Sequence, residues 1–309
     1  MNLVMENPDI AGELTVRVSA ETVIRRDEPL AGYTTLRVGG PADFFVEPAS
    51  EADLVVIVRY CRERGIRHFI LGRGSNLLVR DGGFRGVVIR LSRANFSKTD
   101  IVGDCLHCGA GARLKAVAME ARRNGLGGLE FLEGIPGSVG GALRMNAGAM
   151  GGAIFEVVET VRFMDPSGII LEKPRAGVPV EYRRCPLFVE NIALAAVFKG
   201  VPASREDIDA KLNEFSRRRW EVQPMLPSAG CTFKNPSAIP AGRLIDELAL
   251  KGTRVGGAVV SLEHGNFLVN AGGATAADVL ELINIIQAKA KTERGIELQP
   301  EVEIIGENR

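Results

Sequence analysis

His68-Phe69-Ile70-Leu71-Gly72-Arg73-Gly74-Ser75-Asn76 is a short apolar run feeding directly into a glycine loop. The first four residues have the composition of a strand. A loop of this kind turns successive backbone amides toward an anion such as a diphosphate. Leu77 stands where the third glycine of G-x-G-x-x-G would fall, and no Gly-Lys-Ser/Thr follows. A nicotinamide Rossmann domain and a Walker loop are therefore both disfavoured. Taken by itself the segment also suits an ordinary turn.

A second loop, Gly134-Ile135-Pro136-Gly137-Ser138-Val139-Gly140-Gly141-Ala142, has almost no side-chain bulk, and Asn146-Ala147-Gly148-Ala149 extends it. Each glycine costs roughly 0.5–1 kcal/mol in a regular element, so such a surface suggests that something large lies against it, a tightly packed glycine turn being the alternative. The chain holds 36 glycines in clusters separated by apolar segments, among them Gly39-Gly40, Gly82-Gly83 and Gly125 to Gly128. The repeated strand–glycine pattern suits a long cofactor laid across several turns.

Around these loops, Asp53 to Arg64 and Leu114 to Asn124 read as helices with glycine stops. Val87 to Leu91, Leu106 to Gly111 and Ile192 to Phe198 read as strands, and Val157 to Glu172 as a hairpin about Asp165-Pro166-Ser167-Gly168. After Lys199 the pattern becomes more helical: Ser204 to Trp220, Gly242 to Leu250 and Ala276 to Arg294. A closing strand is expected over Ile296 to Ile305, with Glu301 and Glu303 on the face opposite Val302 and Ile304. The expected organisation is an extension over 1–20, a first domain over 21–202 with subdomains of about 21–91 and 92–202, and a second over 203–309.

The 309 residues are enough for roughly two domains. Hydrophobic residues make up 46% and charged residues 25%, the balance of a soluble globular chain. Basic and acidic side chains total 38 each, so no net charge favours nucleic acid or a membrane, and an anion needs a local site. Met1 to Ala11, with Glu6, Pro8 and Asp9, lacks a signal-peptide core. No apolar run approaches the roughly twenty residues of a bilayer span, and the expected location is the cytoplasm. Cys105-Leu106-His107-Cys108 looks like half a zinc site, but no second pair follows, and no metal is expected.

Ser228-Ala229-Gly230-Cys231-Thr232-Phe233-Lys234-Asn235-Pro236-Ser237 places a thiol, a cation and a carboxamide between two prolines. It reads as a rigid loop or strand end that presents its side chains. Cys231 can donate or accept a proton, and Lys234 and Asn235 can hold an anion or polar group. The plainer reading is a tight turn with a buried thiol.

Six motifs, in order, resemble the UDP-N-acetylenolpyruvoylglucosamine reductase family: Thr34 to Ala42, Leu71 to Asn76, Ile135 to Gly141, Tyr182-Arg183, Ala229 to Pro236, and Pro300 to Val302. The resemblance implies an α+β chain with a vanillyl-alcohol-oxidase-type (PCMH) FAD-binding domain of two αβ subdomains and a C-terminal α+β substrate domain. It implies non-covalent FAD, with Gly39, Gly72, Arg73, Gly74, Ser75, Asn76, Ile135, Pro136, Gly137, Ser138, Gly140, Gly141 and Asn146 toward the cofactor. NADPH is the implied co-substrate, and a UDP-sugar carrying an enolpyruvyl ether is the implied substrate. Tyr182, Arg183, Lys234, Asn235 and Asn266 are the residues implied to bind it. The expected chain is a monomer.

The resemblance makes Arg183, Cys231 and Glu301 the catalytic residues: Arg183 and Glu301 stabilise an enolate-like intermediate and Cys231 gives a proton to C2. Without the family, Glu303 is an equal candidate to Glu301, and both also suit a solvated strand face. Many members have serine where Cys231 stands. Some have lysine where Val222 stands, leaving the source of positive charge for the substrate diphosphate open; Arg217 to Arg219 are candidates or merely a solvated helix end. The short span between Tyr182 and Cys231 implies the form without an inserted tyrosine loop. Two rivals stand beside this reading: a flavin oxidase of the same fold acting on a small alcohol or sugar, and a nucleotide-sugar binding module without turnover.

Overall fold

The computed structural model describes residues 9–309, so residues 1–8 of the expected extension lie outside the described residues. The rest of that extension is tied down. Helix Ile10–Thr15 buries Ile10 and Leu14 against the main core. Ser19 and Thr22 hydrogen-bond the Asp53 carboxylate at the start of helix Glu51–Glu63.

Three sheets organise the chain. The first runs Val23–Pro29, Pro41–Glu47, Phe84–Arg90, His68–Leu71 in spatial order, antiparallel in its first pair and parallel in the others. Helix Glu51–Glu63 makes the crossover that parallel neighbours require. Strand alternation splits the apolar residues of this sheet. Val46, Val87 and Ile89 join the largest core with the helix, while Phe45 and Val88 enter a smaller one on the opposite face.

The second sheet is antiparallel, in the order Ile170–Pro174, Val158–Met164, Ile192–Lys199, Cys105–Gly109, Thr99–Val102. Helices Leu114–Arg123 and Val139–Met145 contribute to the same largest core. Cys105 and Cys108, an odd number of residues apart on one strand, point to opposite faces and cannot chelate together. Among the described residues no three His, Cys, Asp or Glu converge as a metal site would require.

The third sheet is antiparallel, Ser228–Cys231, Phe267–Asn270, Ala258–Val260, Arg254–Val255, and packs with helix Ala276–Arg294. Helix Arg205–Val222 leads into it. The closing strand is shorter than the sequence reading expects, covering only Glu303–Ile305. Pro300 is the reason. It lacks an amide donor, and around it the chain changes partners. Residues 299–301 pair with the Thr232–Lys234 segment, whereas Glu303–Ile305 runs parallel to Leu77–Val79 of the first half. The alternation of Glu301 and Glu303 against Val302 and Ile304 survives the change. Among the described residues no helix is long and apolar enough to cross a membrane.

Candidate active site

Two cavities, of about 590 and 870 Å3, share Leu71, Gly72, Arg73, Ser138, Gly141 and Arg144 and form one long cleft. Both glycine loops line it because each follows or opens a buried element: strand His68–Leu71 delivers the first, and the second runs into helix Val139–Met145. A Cβ on Gly72 would stand 2.9 Å from Ser138 Oγ, so a side chain there would fill the cleft floor. Gly74 has φ +60° and backs onto the Tyr33 carbonyl, a conformation and a closeness that only glycine accepts. Thr35 staples this loop to the third sheet: its amide donates to Gly74 O at 3.1 Å and its hydroxyl to Ser228 O at 2.6 Å.

One end of the cleft is cationic, although the chain as a whole is neutral. Arg73, Arg90 and Arg113 line the smaller cavity. Burial, then repulsion from Arg113 and Arg90, holds the Arg73 guanidinium below its ordinary pKa. Such a cluster is poised for a multiply charged anion. The glycine floor and this cluster fit FAD, whose diphosphate Arg73, Arg90 and Arg113 would hold.

At the other end the chain draws three distant segments together. Strand Ser228–Cys231 ends with Cys231 facing the larger cavity, after Gly230 turns through φ 79°. Arg183 Nε approaches Glu301 Oε1 to 2.9 Å, with the two side chains 25% and 13% exposed. The N–H does not point along that line, so the buried donor lacks a hydrogen-bond acceptor. Asn76 Nδ2 donates to Glu301 O at 3.0 Å and fixes the segment that carries the carboxylate. Burial raises the Glu301 pKa, with Arg183 and Lys234 opposing. The Cys231 thiol is pushed up to about 11, first by burial and then by Glu301, with Arg183 and a hydrogen bond from Asn266 acting against the rise. It therefore stays protonated at neutral pH.

Of the expected cofactor positions, Gly72 to Asn76, Ile135 to Ser138, Gly140 and Gly141 line the cleft. Gly39 does not: it packs against Val79 at φ +139°. Asn146 is also off the cleft wall, its Nδ2 donating to Glu181 O at 3.0 Å. Among the expected substrate residues only Arg183 lines it. Tyr182 lies on the exposed side of the turn beneath the Arg183 guanidinium. Lys234 reaches the site only through its charge on Glu301. Asn235 Oδ1 accepts from Ala241 N at 3.0 Å and begins the next helix. Asn266, 2% exposed, bonds both backbone groups of Phe233 through its carboxamide and also acts on the Cys231 thiol.

The basic run divides. Arg217 and Arg218 sit in surface pairs with Glu221 and Glu214, while Arg219, stacked against Trp220, lines the cleft. Arg90, Arg113 and Arg144 escaped the sequence reading. Arg144 carried a usable signal, standing three residues beyond Gly141 on the same helical face; its guanidinium pairs with Glu303 at 2.8 Å.

A glycine-floored cleft with a cationic end, on a fold of this topology, defines a flavin-dependent oxidoreductase of the vanillyl-alcohol-oxidase type. Residues 42–173 match the FAD binding domain family, and residues 223–305 match the C-terminal domain of UDP-N-acetylenolpyruvoylglucosamine reductase. The reductase of Geobacter metallireducens is 47% identical over 96% of this chain and 99% of its own length. That of Syntrophomonas wolfei is 42% identical over 92% and 95%. The crystal structure of the Thermus caldophilus reductase superposes with a TM-score of 0.80, at 40% identity, over 92% of this chain and 99% of that one. A berberine bridge enzyme variant, 15% identical with a TM-score of 0.50 over 64% of this chain, shares the fold. The chain belongs to the UDP-N-acetylenolpyruvoylglucosamine reductase family. It is an FAD-dependent enzyme that uses NADPH to reduce the enolpyruvyl UDP-sugar to UDP-N-acetylmuramate in peptidoglycan precursor synthesis.

Proposed function

We propose that Arg183, Cys231 and Glu301 carry the substrate half of this reaction. The observation behind the proposal is their convergence: a guanidinium and a raised carboxyl in contact at 2.9 Å, beside a thiol held neutral in the same cleft. FAD, when bound, supplies the chemistry of accepting hydride from NADPH and passing it to C3 of the enolpyruvyl group. Negative charge then develops across C2 and the carboxylate. Arg183 grips that carboxylate with a planar, bidentate cation. Glu301, whose pKa burial raises, is the candidate hydrogen-bond donor to the developing charge when protonated. Cys231 Sγ gives its proton to C2, and solvent restores the thiol.

Gly72 to Asn76 and Ile135 to Gly141, with Arg73, Arg90 and Arg113, hold the cofactor; Arg219 supplies charge for the substrate diphosphate in place of the lysine missing at Val222. The match intervals on either side of residue 202 support a division there into a cofactor domain and a substrate domain. The enzyme acts as a cytoplasmic monomer.

Stopped-flow half-reactions test the residue roles. Cys231→Ala leaves flavin reduction by NADPH within about threefold of wild type and slows reoxidation by substrate at least about 100-fold, the scale of a lost proton donor. Cys231→Ser retains measurable turnover. Survival of both half-reactions in Cys231→Ala contradicts the assignment.

A further inference from the structure

We infer that Asn146 is a positioning residue for Arg183: from the end of helix Val139–Met145 its carboxamide holds the Glu181–Arg184 turn so that the guanidinium stays in the cleft. The inference rests on the role proposed for Arg183.

The turn has little support of its own. It is closed by Glu181 N donating to Arg184 O at 2.8 Å and Arg184 N to Glu181 O at 3.3 Å, and Glu181, Tyr182 and Arg184 are all exposed. Arg183 sits at φ 57°, in the left-handed region that tight turns ordinarily reserve for glycine or asparagine. A residue in that region persists where its surroundings determine it. Two ties from one place do so. Asn146 Nδ2 donates to Glu181 O at 3.0 Å, and Cys185 N donates to Arg144 O at 2.9 Å. Both flanks of the turn are thus moored to the last turn of the helix whose glycine-rich start lines the cofactor cleft.

Asn146 is itself left-handed, at φ 39° and ψ 54°, and Ala147 N returns to Ala142 O at 2.9 Å to finish the helix. Glycine is the commonest residue at such a helix end and carries no steric penalty. What asparagine adds is the carboxamide. Its Oδ1 is buried without a partner, so the donor side alone sets the group's orientation. Arg183 Nη1 completes the arrangement, reaching Gly148 O at 3.4 Å just past the same helix end.

Two variants separate the carboxamide from the backbone shape. Asn146→Gly keeps the left-handed helix end and deletes the side chain; Asn146→Asp keeps the shape and removes the donor. Both are expected to retain FAD with wild-type affinity and to be reduced by NADPH at a near wild-type rate. Reoxidation by the enolpyruvyl UDP-sugar slows by about 10- to 100-fold, the scale of a displaced catalytic group. The pH profile supplies a readout that general loosening would not move. The charged and titratable groups facing Glu301 are Arg183, Lys234 and Cys231, while Glu303 is engaged by Arg144. Arg183 lowers the Glu301 pKa, so a freed Arg183 moves the high-pH limb of reoxidation further upward.

A double-mutant cycle decides the route. In an Arg183→Ala background, Asn146→Gly adds no further slowing, because the carboxamide acts through the guanidinium. A full additional slowing there, a loss of FAD affinity, or unchanged reoxidation with an unmoved pH limb in Asn146→Gly overturns the inference. If Arg183→Ala also leaves reoxidation intact, the role given to Arg183 fails and the inference falls with it. If Arg183→Ala is slow while Asn146→Gly is not, only the inference fails.

Discussion

Glu301 sits in an environment where burial raises its pKa against two cations, Arg183 and Lys234. A carboxyl that must be protonated to donate a hydrogen bond loses that ability as pH rises through its folded-state value. The oxidative half-reaction therefore falls on a limb above the ordinary range of about 4.3 for glutamate. Glu301→Gln, a permanent donor of the same shape, removes that limb while keeping part of the rate. A limb unchanged in Glu301→Gln assigns it to another group. At this scale the sequence conveyed chemistry better than geometry. The Cys231 loop stood out, since a thiol and a cation between prolines is poor core material, but a tight turn with a buried thiol read equally well. Arg183 was not: Tyr182-Arg183 carries no periodicity, and only the family motif singled it out. Sequence does not reveal that the Asn146 amide donates to Glu181 O, or that the Asn266 carboxamide bonds both backbone groups of Phe233.

At the scale of elements, the glycine loops act by what they lack. Gly72→Val would place a side chain against Ser138 in the floor shared by both cavities. FAD affinity is expected to fall by at least about tenfold, or 1.4 kcal/mol, while the flavin-free protein keeps its unfolding midpoint; flavin titration and urea unfolding read the two quantities separately. Helix Ala276–Arg294 shows a different dependence. Asp81 accepts from Ala276 N and Ala277 N, each at 2.9 Å, so a residue of the first half caps a helix of the second. Asp81→Ala should cost about 1–2 kcal/mol, as a lost helix-end acceptor does, seen as a lower urea midpoint with unchanged slope. Helices were readable from apolar spacing and glycine stops, and the helix expected from Ser204 begins there, its side chain accepting from Asp207 N. The closing strand was overextended because alternation continues through Pro300 even though the hydrogen-bonding partner changes there.

Over the whole molecule, a chain of zero formal net charge lines one cleft with arginines, Arg73, Arg90 and Arg113 in the smaller cavity and Arg183 and Arg219 in the larger, where a neutral thiol and a raised carboxyl also stand. The cleft is assembled from segments more than 200 residues apart, from Thr35 and Asn76 to Glu301. No local pattern in the sequence encodes that closure; of the glycine clusters, those around Gly72 and Gly134 to Gly141 line the cleft, while Gly39-Gly40, Gly82-Gly83 and Gly125 to Gly128 do not. The most direct test is the visible spectrum of the purified protein, taken anaerobically, first with NADPH and then with the enolpyruvyl UDP-sugar. A flavin band that bleaches with NADPH and returns with that sugar is the predicted result. A band that returns only when oxygen is admitted, or no band even after FAD is added, would contradict it.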